Sequence, residues 1–134
     1  MGKRRRKAGH VPLPPRHARL VYLLQMHLRQ SRSLPPDLRG WVSREQLAKE
    51  VEALTDYRIG NRVVRTYLSY IVSEIERVTG TAIQLFEYRK KLGVRLTVDL
   101  KIVDGTVERI HRLYPDSLVF PTGLDSAAFL IVSA

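Results

Sequence analysis

At 134 residues the chain has about the length of one domain, and its hydrophobic content of 44% suits a globular core, not a disordered chain. A formal net charge of +10 points to an anionic partner, and the absence of cysteine excludes disulfide staples and cysteine-based zinc sites. His10, His17, His27 and His111 have no ligand-like spacing and no acidic companions, so no metal or cofactor is expected, and no apolar run is long enough to span a bilayer.

The charge is unevenly distributed. Residues 1–19 carry Lys3, Arg4, Arg5, Arg6, Lys7, Arg16 and Arg19 with no acid, giving +7, whereas the rest of the chain sets 16 bases against 13 acids. Residues 1–15 read as a basic, Pro-rich arm. Pro12, Pro14 and Pro15 forbid helix there and favour an extended chain. Lys3, Arg4, Arg5, Arg6 and Lys7 are the arm residues expected to follow phosphates or enter a groove.

A first helix is predicted over Arg16–Gln30, because Leu20, Leu23, Leu24, His27 and Leu28 recur on one helical face. Pro35, Pro36 and Gly40 make the following stretch a loop. Trp41 is expected as a core plug. Ser43 and Gln46 have the spacing of a capping box, Val42 and Leu47 that of a hydrophobic staple, and a second helix runs from Arg44 to about Leu54. It buries Leu47, Ala48, Val51 and Leu54. Asn61 is the predicted N-cap of a third helix to Val78, with an apolar stripe of Val64, Leu68, Ile71 and Ile75 and Gly80 at its C-cap.

Off that stripe lie Arg62, Arg65, Thr66, Ser69 and Ser73, while Glu74 and Glu76 follow in the second half. A helix with this polarity suits insertion into a major groove by its N-terminal end, with Arg62 or Arg65 able to contact guanine. Strands over 82–88 and 94–98 then form a hairpin whose tip carries Arg89, Lys90 and Lys91, with Arg95 on the returning strand. Four like charges within seven residues repel one another, and a phosphate would relieve that repulsion.

Residues 99–134 read as a C-terminal extension with a helix over Thr106–Tyr114 and a strand after Asp116. Leu118-Val119-Phe120 and Phe129-Leu130-Ile131-Val132 either complete the protein's own core or pair with a second subunit or larger complex. No paired carboxylates, activated nucleophile or phosphate-cradling glycine loop occurs, so no catalytic residue is assigned and no enzyme is expected.

From about Arg19 to Val98 the chain resembles the winged helix-turn-helix of DeoR-like and Mga-like bacterial transcription regulators. The resemblance is carried by residues 41–51 (WVSREQLAKEV), 61–76 (NRVVRTYLSYIVSEIE) and 92–98 (LGVRLTV). It implies an α+β fold with a three-helix core and a β-hairpin wing over residues 16–98. It also implies a base-reading face of Arg62, Arg65, Thr66 and Ser69, and a phosphate-contacting wing from Arg89 to Arg95. The expectation is a small cytoplasmic, nucleoid-associated transcription regulator that binds DNA in preference to RNA. The alternatives are a component of a ribonucleoprotein, or an accessory factor that binds the transcription or replication machinery.

Overall fold

The computed structural model describes residues 9–55, 58–122 and 127–131; the arm bases Lys3–Lys7, together with Tyr57 and Val132, lie outside them. The fold is mixed α+β. In chain order the first half contains β1 (Gly9–His10), α1 (Pro15–Gln30), α2 (Arg44–Thr55) and α3 (Asn61–Thr79). The second half contains β2 (Phe86–Arg89), β3 (Gly93–Leu96), β4 (Lys101–Asp104), α4 (Val107–Leu113), β5 (Leu118–Pro121) and β6 (Ala127–Ile131).

The first three helices follow their apolar periodicity. α1 starts on Pro15, whose fixed φ and missing N–H suit a first helical position, and buries Ala18, Leu20, Val21, Leu23 and Leu24. In α2 the buried side chains are Leu47, Ala48 and Val51, while Leu54 in the last turn is exposed. The Ser43 hydroxyl accepts from the Gln46 amide at 3.0 Å, forming half of the capping box. The other half is absent, because the Gln46 side chain donates to the Glu50 carboxylate instead. α3 buries Val64, Leu68, Ile71 and Ile75, begins one residue earlier than expected with Gly60 as N-cap, and ends on left-handed Gly80.

Two sheets complete the chain. β2 and β3 form an antiparallel hairpin in which Glu87 faces Arg95 and Tyr88 faces Val94. The other sheet has the order β1-β5-β6-β4, with β1 parallel to β5 and the remaining pairs antiparallel. Both of its faces are covered. Leu118, Phe120 and Phe129 join the helices in the main core, whereas Val119, Ala128 and Leu130 pack under Ile110 of α4. A strand buried on both faces reads as a continuous apolar run, which is why these segments show no clear polar alternation.

This sheet redraws both ends of the expected division. Val11 and Leu13 of the Pro-rich segment are buried in the main core, and the Val11 amide donates to the Val119 carbonyl at 2.8 Å. The extended conformation expected there is present, but docked. The apolar C-terminal segment, through Ile131, is likewise packed into the protein's own core. Gln25 ties the two sheets' regions together. Fully buried in α1, it donates to Asp99 at 2.6 Å and accepts from the Leu100 amide at 2.9 Å.

The hairpin is fixed to α2 at a single close approach. Val42, just before α2, forms an antiparallel bridge with Val94: each amide donates to the other's carbonyl, at 3.0 and 2.9 Å. Gly93 makes this possible. Its φ is +102°, and a Cβ there would lie 2.1 Å from the Val42 carbonyl oxygen and 2.7 Å from Cα of Ser43. Gly93→Ala is therefore expected to destabilise the protein by on the order of 3 kcal/mol, from left-handed strain plus overpacking against backbone. Urea denaturation checks this; a midpoint equal to wild type would show that the approach is not confining.

Candidate functional site

The Val42–Val94 bridge holds the hairpin tip beside the N-terminal ends of α2 and α3. Between the three lies an open concavity of about 510 Å³. Arg44 enters it from α2, Arg65 from α3, and Arg89, Lys90 and Lys91 from the hairpin, with Glu45 as the one carboxylate in the wall among the described residues. Ser43, Asn61 and the ring of Tyr88 complete the lining. Residues far apart in sequence thus place five cations around one groove, Arg89 being paired at 3.4 Å with Glu87 of its own strand.

Helix electrostatics would not choose this arrangement. The N-terminal turn of a helix carries partial positive charge and prefers carboxylates. Yet α3 has no acid in its first turn, and α2 opens with Arg44 ahead of its first-turn acid Glu45. Cations at these positions raise the local potential further, which favours an anion in the groove. The Arg65 guanidinium is stacked over the Tyr88 ring at 4.7 Å, so its direction is set by the hairpin. Burial pushes the Tyr88 phenol above its ordinary value, against the opposing effects of the Arg65 and Arg44 charges.

The other expected base-reading residues lie along the open face of α3. Arg62, Thr66 and Ser69 are exposed there, with the Thr66 hydroxyl donating back to the Arg62 carbonyl at 3.3 Å. Arg65 shares this face but belongs also to the groove. In the second half of α3, Glu74 is occupied by Arg77 at 2.8 Å, which holds the carboxyl below the usual glutamate range, chiefly through the hydrogen bond. Arg44 was not singled out from sequence. Its signal was available: an arginine at the first position after a serine cap, where an acid is preferred.

Arg95 departs from its expected role. Its guanidinium pairs with Glu87 at 2.8 Å and donates to the carbonyls of Pro36 and Arg39 at 2.8 and 3.3 Å. It also lies 4.6 Å over the Trp41 ring. With its side chain only 16% exposed, it ties the hairpin to the loop before α2 and is not a free surface cation. Trp41 differs correspondingly from a core plug. Its ring is half-buried, its indole N–H donates to the Asp37 carbonyl at 2.9 Å, and Arg89 approaches it at 5.7 Å. It is a shelf for guanidinium groups.

The histidines have structural surroundings. His17 is packed between Tyr67 and Tyr70, with ring centroids 4.3 and 4.7 Å away, and its pKa is lowered first by burial and then by Arg16. His27 is only partly buried and meets Glu50 at 2.8 Å. Among the described residues no group of three or more histidine, aspartate or glutamate side chains is arranged to hold a metal, and no helix is long and apolar enough to cross a membrane. Comparison with protein-family models, with curated proteins and with solved structures gave no match.

The Arg95–Glu87 contact has a measurable signature. The hydrogen bond from Arg95 holds the Glu87 carboxyl below its ordinary value, outweighing the opposite effect of burial, with Arg89 adding to the shift. A depressed carboxylate pKa contributes stability that is present above the unfolded value and lost as pH falls through the folded one. Thermal melts from about pH 6 down through the ordinary glutamate range should therefore lose less stability in Glu87→Gln than in wild type. Parallel pH profiles would show that the contact contributes nothing to folding.

Proposed function

We propose that this chain is a winged helix-turn-helix protein that binds duplex DNA, most simply as a small transcription regulator. The observation carrying the reading is the convergence of Arg44, Arg65, Arg89, Lys90 and Lys91 on one open groove at the N-terminal ends of two helices. A phosphate of the backbone matches that groove in charge and in donor geometry, since guanidinium groups present paired N–H donors to phosphate oxygens. With a phosphate so seated, the open face of α3 meets the major groove by its N-terminal half, and the hairpin acts as the wing.

Within this reading the base-reading role passes to Arg62, Thr66 and Ser69, while Arg65, held over Tyr88, acts on phosphate. The basic segment Lys3–Lys7 makes a separate contribution. It joins the described body at Gly9, beside Val78 in the last turn of α3. At 1.5 Å per helical residue, Val78 is about 20 Å from Arg65 along the helix axis.

Fluorescence anisotropy with a labelled random-sequence duplex, titrated over a range of salt, tests both. Replacing Arg44, Lys90 or Lys91 by glutamine is expected to reduce the slope of log affinity against log salt by about 0.9 each, the loss of one released counterion. Replacing all five bases Lys3–Lys7 should reduce it by about 4.5, independently of the groove variants. Slopes untouched by the groove substitutions would contradict the assignment. So would tighter binding of a structured RNA hairpin than of the duplex at the same salt, which would move the protein to the RNA-binding class.

A further inference from the structure

A second concavity lies on the far side of the hairpin, between its outer face, the end of α1 and the loop before α2. It encloses about 350 Å³, within the size range of small-molecule sites. Arg29, Arg32, Arg39 and Arg95 line it, against two carboxylates, Glu87 and Asp99. The local charge is thus +2.

The pairs that partly neutralise these arginines differ in strength. Arg29 and Arg32 share one carboxylate, Asp99, at 3.9 and 3.3 Å, Arg29 also donates to the Leu100 carbonyl at 3.1 Å, and all three side chains are well exposed. Exposed pairs of this kind are worth little and are readily exchanged for another anion. Asp99 is held in place independently by Gln25 at 2.6 Å, so it does not depend on these arginines for its position. Arg39 donates through Nε to the Leu34 carbonyl at 2.6 Å, a bond that uses one of its five donors and orients the fork. The wall between the arginines is apolar, formed by Leu28, Pro36 and Leu96.

We infer that this cavity binds a small phosphate monoester with an apolar body. Such a group carries about −2 near neutral pH, which matches the surplus of guanidinium charge. Its oxygens accept from the forks of Arg29, Arg32 and Arg39, and its organic part covers Leu28 and Pro36, the apolar lining residues that remain partly exposed. A free phosphate would leave that apolar wall uncovered, so the ester is the better fit. This site shares no lining residue with the groove beneath the hairpin tip, and stands or falls apart from the nucleic-acid reading.

Calorimetric titration of the full chain with butyl phosphate tests it, with emission from Trp41 as a second readout. Trp41 is the chain's one tryptophan and lies against Arg95 in the wall. Saturable binding is expected, weakened about tenfold by Arg32→Gln through the loss of a charge-assisted hydrogen bond and unchanged by Arg112→Gln, an exposed residue of α4 that lines neither concavity. Inorganic phosphate should bind more weakly and butanol not at all. Arg32 is 68% exposed, so its replacement leaves the fold intact. The proposal is overturned by absence of saturation, by wild-type affinity in Arg32→Gln, by loss of binding in Arg112→Gln, or by inorganic phosphate binding as tightly as the ester.

Discussion

The contact of Gly93 with the backbone of Val42 and Ser43 is the constraint on which the candidate site depends. It brings a hairpin rich in positive charge against the start of α2, where electrostatics alone would drive it away. Two backbone hydrogen bonds and the buried side chains of Val42 and Val94 hold it there. The Arg95 network reinforces the same approach from the outer face, linking the hairpin to Glu87, Trp41 and the loop carbonyls. Repulsion among Arg44, Arg65, Arg89, Lys90 and Lys91 is therefore maintained by packing, and this stored repulsion is available to an anionic ligand.

The first three helices and the hairpin were legible because their cores lie on one side. Leu20, Leu24, Leu47, Val51, Val64, Leu68, Ile71 and Ile75 follow the 3.6-residue period that a one-sided helix imposes. β5 and β6 were less so, since burial on both faces erases the alternation from which strands are read, and β4 is a four-residue edge strand with only Ile102 and Val103 partly buried. β1 left still less trace. Its two residues pair with β5, more than a hundred positions away, and only the burial of Val11 and Leu13 shows that the Pro-rich segment belongs to the body.

The site was legible as charge but not as arrangement. Arg89, Lys90 and Lys91 are visible as a cluster because they are neighbours in sequence, and they remain on the surface. Arg95 belongs to the same cluster in sequence but points to the other face of the strand pair, where Glu87 is its cross-strand partner. Arg44 shows the reverse case. It stands alone in sequence and meets the other cations only through the bridge between Val42 and Val94. The Ser31–Trp41 loop likewise reads as a spacer, yet it supplies the shelf and the carbonyls that hold Arg95.

On the proposed reading, duplex DNA meets the protein at the hairpin tip and the N-terminal ends of α2 and α3. Amide chemical-shift mapping of the full chain, titrated with a short duplex, tests it most directly. The largest shifts are expected at Ser43–Glu45, Asn61–Ser69 and Arg89–Gly93, with little change in α4 and β4. Shifts concentrated on α4 and β4, with the groove residues unmoved, would contradict it.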